Sequence, residues 1–124
     1  MSRESMGSGD AETLIQTGLL GEALDNGPVL LFLADEDMRY VAVNALACDL
    51  LGYTRRELLG LHVTDVCRFE EAPQEYDEMM GSRAREGEAT LTRKDGTEFR
   101  IAYSAGETRA AGMPFYISVA RVLA

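Results

Sequence analysis

The stretch "VNALACDLLGYTRRELLG", from Val43 to Gly60, constrains this chain more than any other. It holds two short helical segments, each with its own start and stop. Asn44 can cap "ALACDLL", which ends at Gly52. Thr54 can cap "TRRELLG", with Glu57 at the third helical position to complete a capping box and Gly60 to end it. Helices this short are marginal alone, so they need a surface to lie on.

That surface reads from the rest of the chain. "PVLLFLAD" is an apolar run of strand length, and "RYVAV" follows the turn "DEDM", so the two predict a hairpin. "EATLT" and "EFRIAYSA" flank "RKDGT", where Asp95-Gly96 is a strong hairpin turn. Phe99, Ile101 and Tyr103 alternate with Arg100, Ala102 and Ser104. "GETRAAGMP" reads as a looser loop, and "FYISVARVL" as the last strand. Between these groups "LHVTDVCRF" reads as irregular. Pro73 then opens a longer helix, "PQEYDEMMGSRARE", with Glu70 and Glu71 before its N-terminus and Arg83 and Arg85 near its C-terminus. Its apolar stripe is Tyr76, Met79, Met80 and Ala84, and Gly87 ends it.

Residues 1–10 are rich in Ser and Gly and read as a flexible N-terminus. Residues 11–26 read as an amphipathic cap helix started by Asp10 and stopped by Asn26-Gly27, and residues 27–124 as the core. Gly18 and Gly21 each cost about 1 kcal/mol inside such a helix, which suits close approach by another surface. The element order predicts an α+β fold, an antiparallel sheet with helices on one face.

Composition removes several function classes. The 124 residues carry a net charge of −9, against a nucleic-acid partner, and the nearest approach to a basic cluster is Arg93-Lys94 in a turn. Two cysteines, Cys48 and Cys67, and one histidine, His62, give no metal-ligand spacing and no CxxCH haem-attachment motif. No apolar run approaches the ~20 residues of a membrane span, and "MSRESMGSGD" is no secretion signal. The expected home is a reducing cytoplasm with both thiols free, and no membrane partner.

The Asn44, Gly52-Tyr53 and Glu57-Leu58-Leu59-Gly60 series, followed by the "RKDGTEF" hairpin at Arg93–Phe99, resembles the PAS domain family. The resemblance spans roughly residues 11–122. It implies a five-stranded antiparallel sheet curled around short helices, with an N-terminal capping helix outside the sheet. PAS modules sense ligands, light or redox state, or dimerise, and fold alone does not choose among these.

"CRF" at Cys67–Phe69 is the core string of the reactive-cysteine motif in the flavin-binding light-oxygen-voltage subgroup. The family's reactive position, three residues after the glycine matching Gly60, falls here on Val63, so Cys67 is four residues late. The family's flavin-binding amides fall on Leu91, Ile101 and about Ala120. Flavin is therefore not expected. In the photoactive yellow protein a cysteine of this region holds the chromophore, but the chromophore's acid partners match Val43 and Ala47. Haem-binding PAS domains use a histidine on the longer helix, which has none; a site through His62 would be unusual. No cofactor is expected. Cys67 and Cys48 read as small hydrophobes rather than redox sensors: Asp65, Glu70 and Glu71 disfavour a Cys67 thiolate, and only Arg68 helps.

By the same resemblance, Val63, Val66, Phe69, Tyr76, Met79, Met80, Leu91, Ile101 and Tyr103 face the interior pocket, with Thr90 or Ser118 as further polar points. They either fill the core or leave room for a small apolar or aromatic ligand with one or two hydrogen-bonding groups. The leading helix implies a homodimer: Ile15, Leu19 and Leu24 half used on the domain's own sheet, Leu14 and Leu20 reaching a second chain, Gly18 and Gly21 permitting close contact. An enzyme on a similar curved sheet would need an acid beside Tyr76 or Tyr103, but Asp77 and Glu78 fall on the polar side of their helix, so no catalysis is expected. The expected role is a signalling module acting through a downstream domain or partner protein; the rival is a dimerisation module with a filled core. Ala120-Arg121-Val122 stand where many PAS domains continue through Asp-Ile-Thr into a signalling helix, which leaves open a stand-alone protein or a piece of a larger one.

Overall fold

A computed structural model of the chain describes the backbone of residues 2–69 and 84–123, and the side chains of residues 11–69 and 85–123. Helix α1 spans Ser2–Asp25 and is followed by strands β1 (Leu30–Ala34) and β2 (Tyr40–Val43). Three short helices come next, α2 (Ala45–Leu51), α3 (Arg55–Leu58) and α4 (Val63–Val66), and then strands β3 (Cys67–Phe69), β4 (Ala84–Thr92), β5 (Glu98–Ala110) and β6 (Met113–Val122). One sheet holds all six strands in the order β2-β1-β6-β5-β4-β3, and every neighbouring pair is antiparallel.

Local chemistry accounts for the helix starts and stops. The Asn44 side chain accepts from the Ala47 N–H, and Gly52 ends α2 at φ 80°, a left-handed conformation that glycine reaches without a Cβ penalty. Thr54 and Glu57 form the reciprocal capping box expected of them. The β4–β5 turn then closes over the end of α2: the Lys94 N–H donates to the Leu51 carbonyl at 2.8 Å and the Arg93 Nε–H to the Leu50 carbonyl at 3.0 Å. Orphan carbonyls of a seven-residue helix are thus satisfied by a hairpin some 40 residues on in sequence.

Five features differ from the sequence reading. The first helix does not start at Asp10 but runs back to Ser2, so the backbone of the Ser/Gly-rich segment is helical. The sheet has six strands rather than five, because "CRF" pairs with β4 in the stretch read as irregular, and "VTDV" before it forms α4. The helix expected from Pro73 lies largely outside the described residues, but it does not reach Gly87: Ala84–Glu86 already pair with Ser104–Gly106. "GETRAAGMP" is no loose loop. It is mostly strand, paired from Gly106↔Ile117 to Ala110↔Met113, and turns only at Ala111 and Gly112, both at positive φ. That two-residue turn matches the twist of a hairpin, which explains why strand pairing runs to its tip. Finally, α1 does not spend its apolar side chains on its own sheet, as described below.

The core lies between the concave face of the sheet and α2–α4. Alternation places Leu30, Phe32 and Ala34 of β1, Ile101, Tyr103 and Ala105 of β5, and Ala89 and Leu91 of β4 on that inner face, all buried. Leu51, Leu58, Val63 and Val66 close it from the helices.

Candidate functional site: an aromatic core cavity and an uncovered helix

A cavity of about 40 Å³ remains between the inner face and the helices. Its aromatic lining is Phe32, Tyr40, Phe69, Tyr103 and Tyr116. The rings also pack on one another: Phe32 and Tyr40 are tilted with centroids 5.4 Å apart, and Phe69 meets Tyr103 edge-on at 5.6 Å. Polarity enters through the tyrosine hydroxyls and Ser118; no charged residue appears among the described lining residues. Burial pushes the Tyr116 hydroxyl pKa up, with smaller contributions from the negative charges of Glu107 and Glu36. Tyr116 therefore stays a neutral donor through the physiological range.

Met38 forms another part of the wall. It is buried and sits at φ 61°, a left-handed conformation that a side-chain-bearing residue adopts at a cost. The turn around it compensates: Asp35 Oδ1 accepts from the N–H groups of Asp37 and Arg39, and the Met38 N–H donates to the Asp35 carbonyl.

Five of the nine residues expected to face the pocket, Val63, Phe69, Leu91, Ile101 and Tyr103, line this cavity. Val66 is buried but packs in the core away from the cavity lining. Tyr76, Met79 and Met80 lie outside the described residues. Ser118 lines the cavity, whereas Thr90 sits on the outer face in register with Arg68 and Arg100. The sequence reading missed the contribution of β1, the turn after it and the start of β2: Phe32, Ala34, Met38 and Tyr40. The signal was present in the period of two of "LLFLA", whose first, third and fifth residues belong to the same face as Tyr103.

Both cysteines are half-buried, and neither is in a disulfide. Cys67 is on β3 at the cavity wall. Burial raises the Cys48 thiol pKa, partly offset by the Arg55 guanidinium. His62 is partly exposed in the loop before α4, and its backbone N–H donates to Asp65 Oδ2 at 2.8 Å. Among the described residues, no group of three His, Cys, Asp or Glu side chains could hold a metal ion.

The second feature lies outside the core. Leu14, Ile15, Leu19 and Leu20 of α1 are each 61–74% exposed, and Leu24 is 41% exposed. The expected half-covering of Ile15, Leu19 and Leu24 by the domain's own sheet is therefore not what is found. A Cβ built at Gly18 or Gly21 would meet nothing within 4 Å, so the close approach those glycines permit is unused within one chain. Beside the last turn of α1 runs a groove of about 250 Å³, bordered by Gly21, Leu24, Leu31, Leu33, Ala42 and Ile117. The convex face of the sheet is divided. Across β3, β4 and β5 it carries ion pairs, Arg68–Glu98 and Arg100–Glu88. Across β2, β1 and β6 it carries Val41, Ala42, Leu31, Leu33, Ile117 and Val119, of which Val41 and Val119 are well exposed.

With this geometry in hand, comparison with known proteins is decisive for the family. A family model described as PAS domain matches residues 28–119. The chain belongs to the PAS domain family. Solved structures carry the same fold. A PAS domain from a two-component sensor histidine kinase superposes with a TM-score of 0.78 at 15% identity, covering 90% of this chain and 99% of its own. The PAS domain of an HTR-like protein from Haloarcula marismortui gives 0.75 at 22% identity, covering 94% and 99%. An RNA-binding light-oxygen-voltage receptor gives 0.77 at 21% identity, covering 89% of this chain but 34% of that longer chain. At these identities the likeness is one of fold. No curated protein matches the chain. Among the described residues of this PAS domain, no helix is long and apolar enough to cross a membrane.

Proposed function

We propose that this PAS domain is a sensory and interaction module of a signalling system, and that it works as a homodimer built on α1. The observation that carries the reading is the uncovered apolar surface of α1 beside an apolar half of the convex sheet face. Contiguous exposed apolar surface of this kind marks an interaction site. A second copy is the occupant that brings matching surface, since a two-fold contact places the same patch on both sides. Membership of the PAS family and the histidine-kinase origin of a structural neighbour support a signalling context, with a downstream domain or partner protein as the recipient. The net charge of −9 speaks against nucleic acid as that partner.

The cavity's size bears on what the interior could sense. Drug-sized ligands occupy sites of about 300–1,000 Å³, and an engineered cavity of about 150 Å³ takes benzene. At about 40 Å³ the present cavity takes a ligand of a few heavy atoms unless Phe69 and Tyr103 part. The interaction role therefore stands first, and a small apolar or aromatic ligand with one hydrogen-bonding group is the second reading, supported by the ring lining and the Tyr and Ser118 hydroxyls. Catalysis is not part of the proposal, because the described lining offers no acid or base beside Tyr103. Sedimentation over a concentration series tests the first reading: a monomer–dimer equilibrium supports it, and a monomer at every concentration defeats it. Soaking with xenon or small aromatic probes, read by shifts of Ala105 and Ile101 methyl resonances, tests the second.

A further inference from the structure

We propose that Met38 sets the size limit of the core cavity. Its side chain takes the room that a ring-sized ligand would need, and so restricts this chain to neutral, apolar ligands of a few heavy atoms. This limit rests on the ligand reading above and narrows it. Among the described residues two without a glycine's freedom have positive φ, Met38 at 61° and Ala111 at 52°. Ala111 is exposed at the tip of the β5–β6 hairpin, where the turn alone accounts for it. Met38 differs. It sits in the turn between β1 and β2, at a conformation that glycine reaches without crowding its Cβ against the backbone. Its side chain is turned inward: Met38 is 4% exposed and lines the cavity with Phe32, Tyr40, Phe69 and Tyr103.

The turn does not need this side chain. The Met38 N–H donates to the Asp35 carbonyl at 2.9 Å, and the Met38 carbonyl accepts from the Val63 N–H at 2.8 Å. Asp35 Oδ1 holds the Asp37 and Arg39 N–H groups. All of these bonds use backbone at position 38, so Met38→Gly keeps them. What the thioether adds is filled interior, gained against a strained backbone, and an outlier of that kind points to use. Its four heavy atoms, at roughly a water's ~30 Å³ each, occupy ~120 Å³. The space left beside them is about 40 Å³. An engineered apolar cavity of about 150 Å³ takes benzene. With the thioether in place there is room for a few atoms, and without it there is room for one aromatic ring. Methionine suits the role because it is unbranched and adapts to irregular gaps. The described lining carries no charged residue, so what enters must be neutral.

The test uses xenon and benzene as probes on the full chain. Binding is read by the methyl resonances of Ala105 and Ile101, which line the cavity, and by thermal unfolding with and without benzene. Wild type should take xenon and refuse benzene. Met38→Gly should take both, and benzene at about tenfold its dissociation constant should raise the Tm of that variant by about 5 °C. Met38→Leu, of similar volume, should behave as wild type does, which separates bulk from the sulfur. Met38→Ala serves if Met38→Gly does not fold. Benzene binding by wild type, benzene binding by Met38→Leu equal to that of Met38→Gly, or no benzene binding by a folded truncation overturns the size limit. If wild type takes xenon and the truncation refuses benzene, the limit fails and the ligand reading stands. If neither probe enters any of these chains, both fail.

Discussion

Leu19→Ala isolates the role of α1. Leu19 is 61% exposed in the single chain, so most of its side chain remains available for a partner to cover. Leucine has three more carbons than alanine, worth about 2.4 kcal/mol at ~0.8 kcal/mol per buried methylene. Covering the exposed fraction is then worth about 1.5 kcal/mol per chain, and a two-fold interface counts it twice, giving about 3 kcal/mol. That is roughly a hundredfold in the dimer dissociation constant. Alanine is the better helix former, so α1 itself is not weakened. Sedimentation velocity over a concentration series reads the constant, and thermal unfolding at high dilution reads the monomer. Association should weaken roughly a hundredfold with the dilute Tm unchanged, since 1 kcal/mol would move it by about 4 °C. An unchanged dissociation constant would refute the interface. A fall of several degrees in the dilute Tm would show instead that Leu19 is already packed on its own domain.

Other expectations follow from single sites. Ala111 sits at φ 52° in the β5–β6 turn, so Ala111→Gly should stabilise the fold by about 1 kcal/mol in urea unfolding, and a loss would contradict the turn geometry. Leu91→Ala removes a side chain 1% exposed at the cavity wall and should cost about 2–5 kcal/mol. The Lys94 ammonium, and then the Thr54 N–H, hold the Glu57 carboxyl below its ordinary 4.5. Its folded pKa is the lower one, so its contribution is present above that ordinary value and is lost as pH falls through the folded value. The stability gap between wild type and Glu57→Gln should therefore close on acidification, and a gap that widens would reverse the sign. Cys48, its thiol pKa raised chiefly by burial, should react with a maleimide more slowly than free cysteine at neutral pH.

What the sequence made legible follows its local chemistry. Caps are local, so α2, the Thr54–Glu57 box and the Asp95-Gly96 turn stand where the residues put them. Alternation is local too, and it put Ile101 and Tyr103 on one face; that this face turns inward was implied by the family resemblance. "CRF" could not be read as a strand from itself, because three residues carry almost no periodicity and their strand state comes from pairing with Ala89–Leu91. The Gly- and Ala-rich tip of β5–β6 looked like a loop for a similar reason: its pairing is fixed by the Ala111-Gly112 turn rather than by apolar alternation. The cavity's β1 wall depends on which strands become neighbours, and β6 lying between β1 and β5 is a long-range fact. The exposure of α1 is likewise tertiary: its apolar positions are plain in the sequence, but what covers them is not.

Native mass spectrometry of the full chain tests the central claim most directly, since it weighs the assembly and anything it retains. The account predicts a species of twice the 13.6 kDa chain mass, with at most a small added mass on each chain. A single-chain mass at every concentration, with α1 left uncovered, would contradict it.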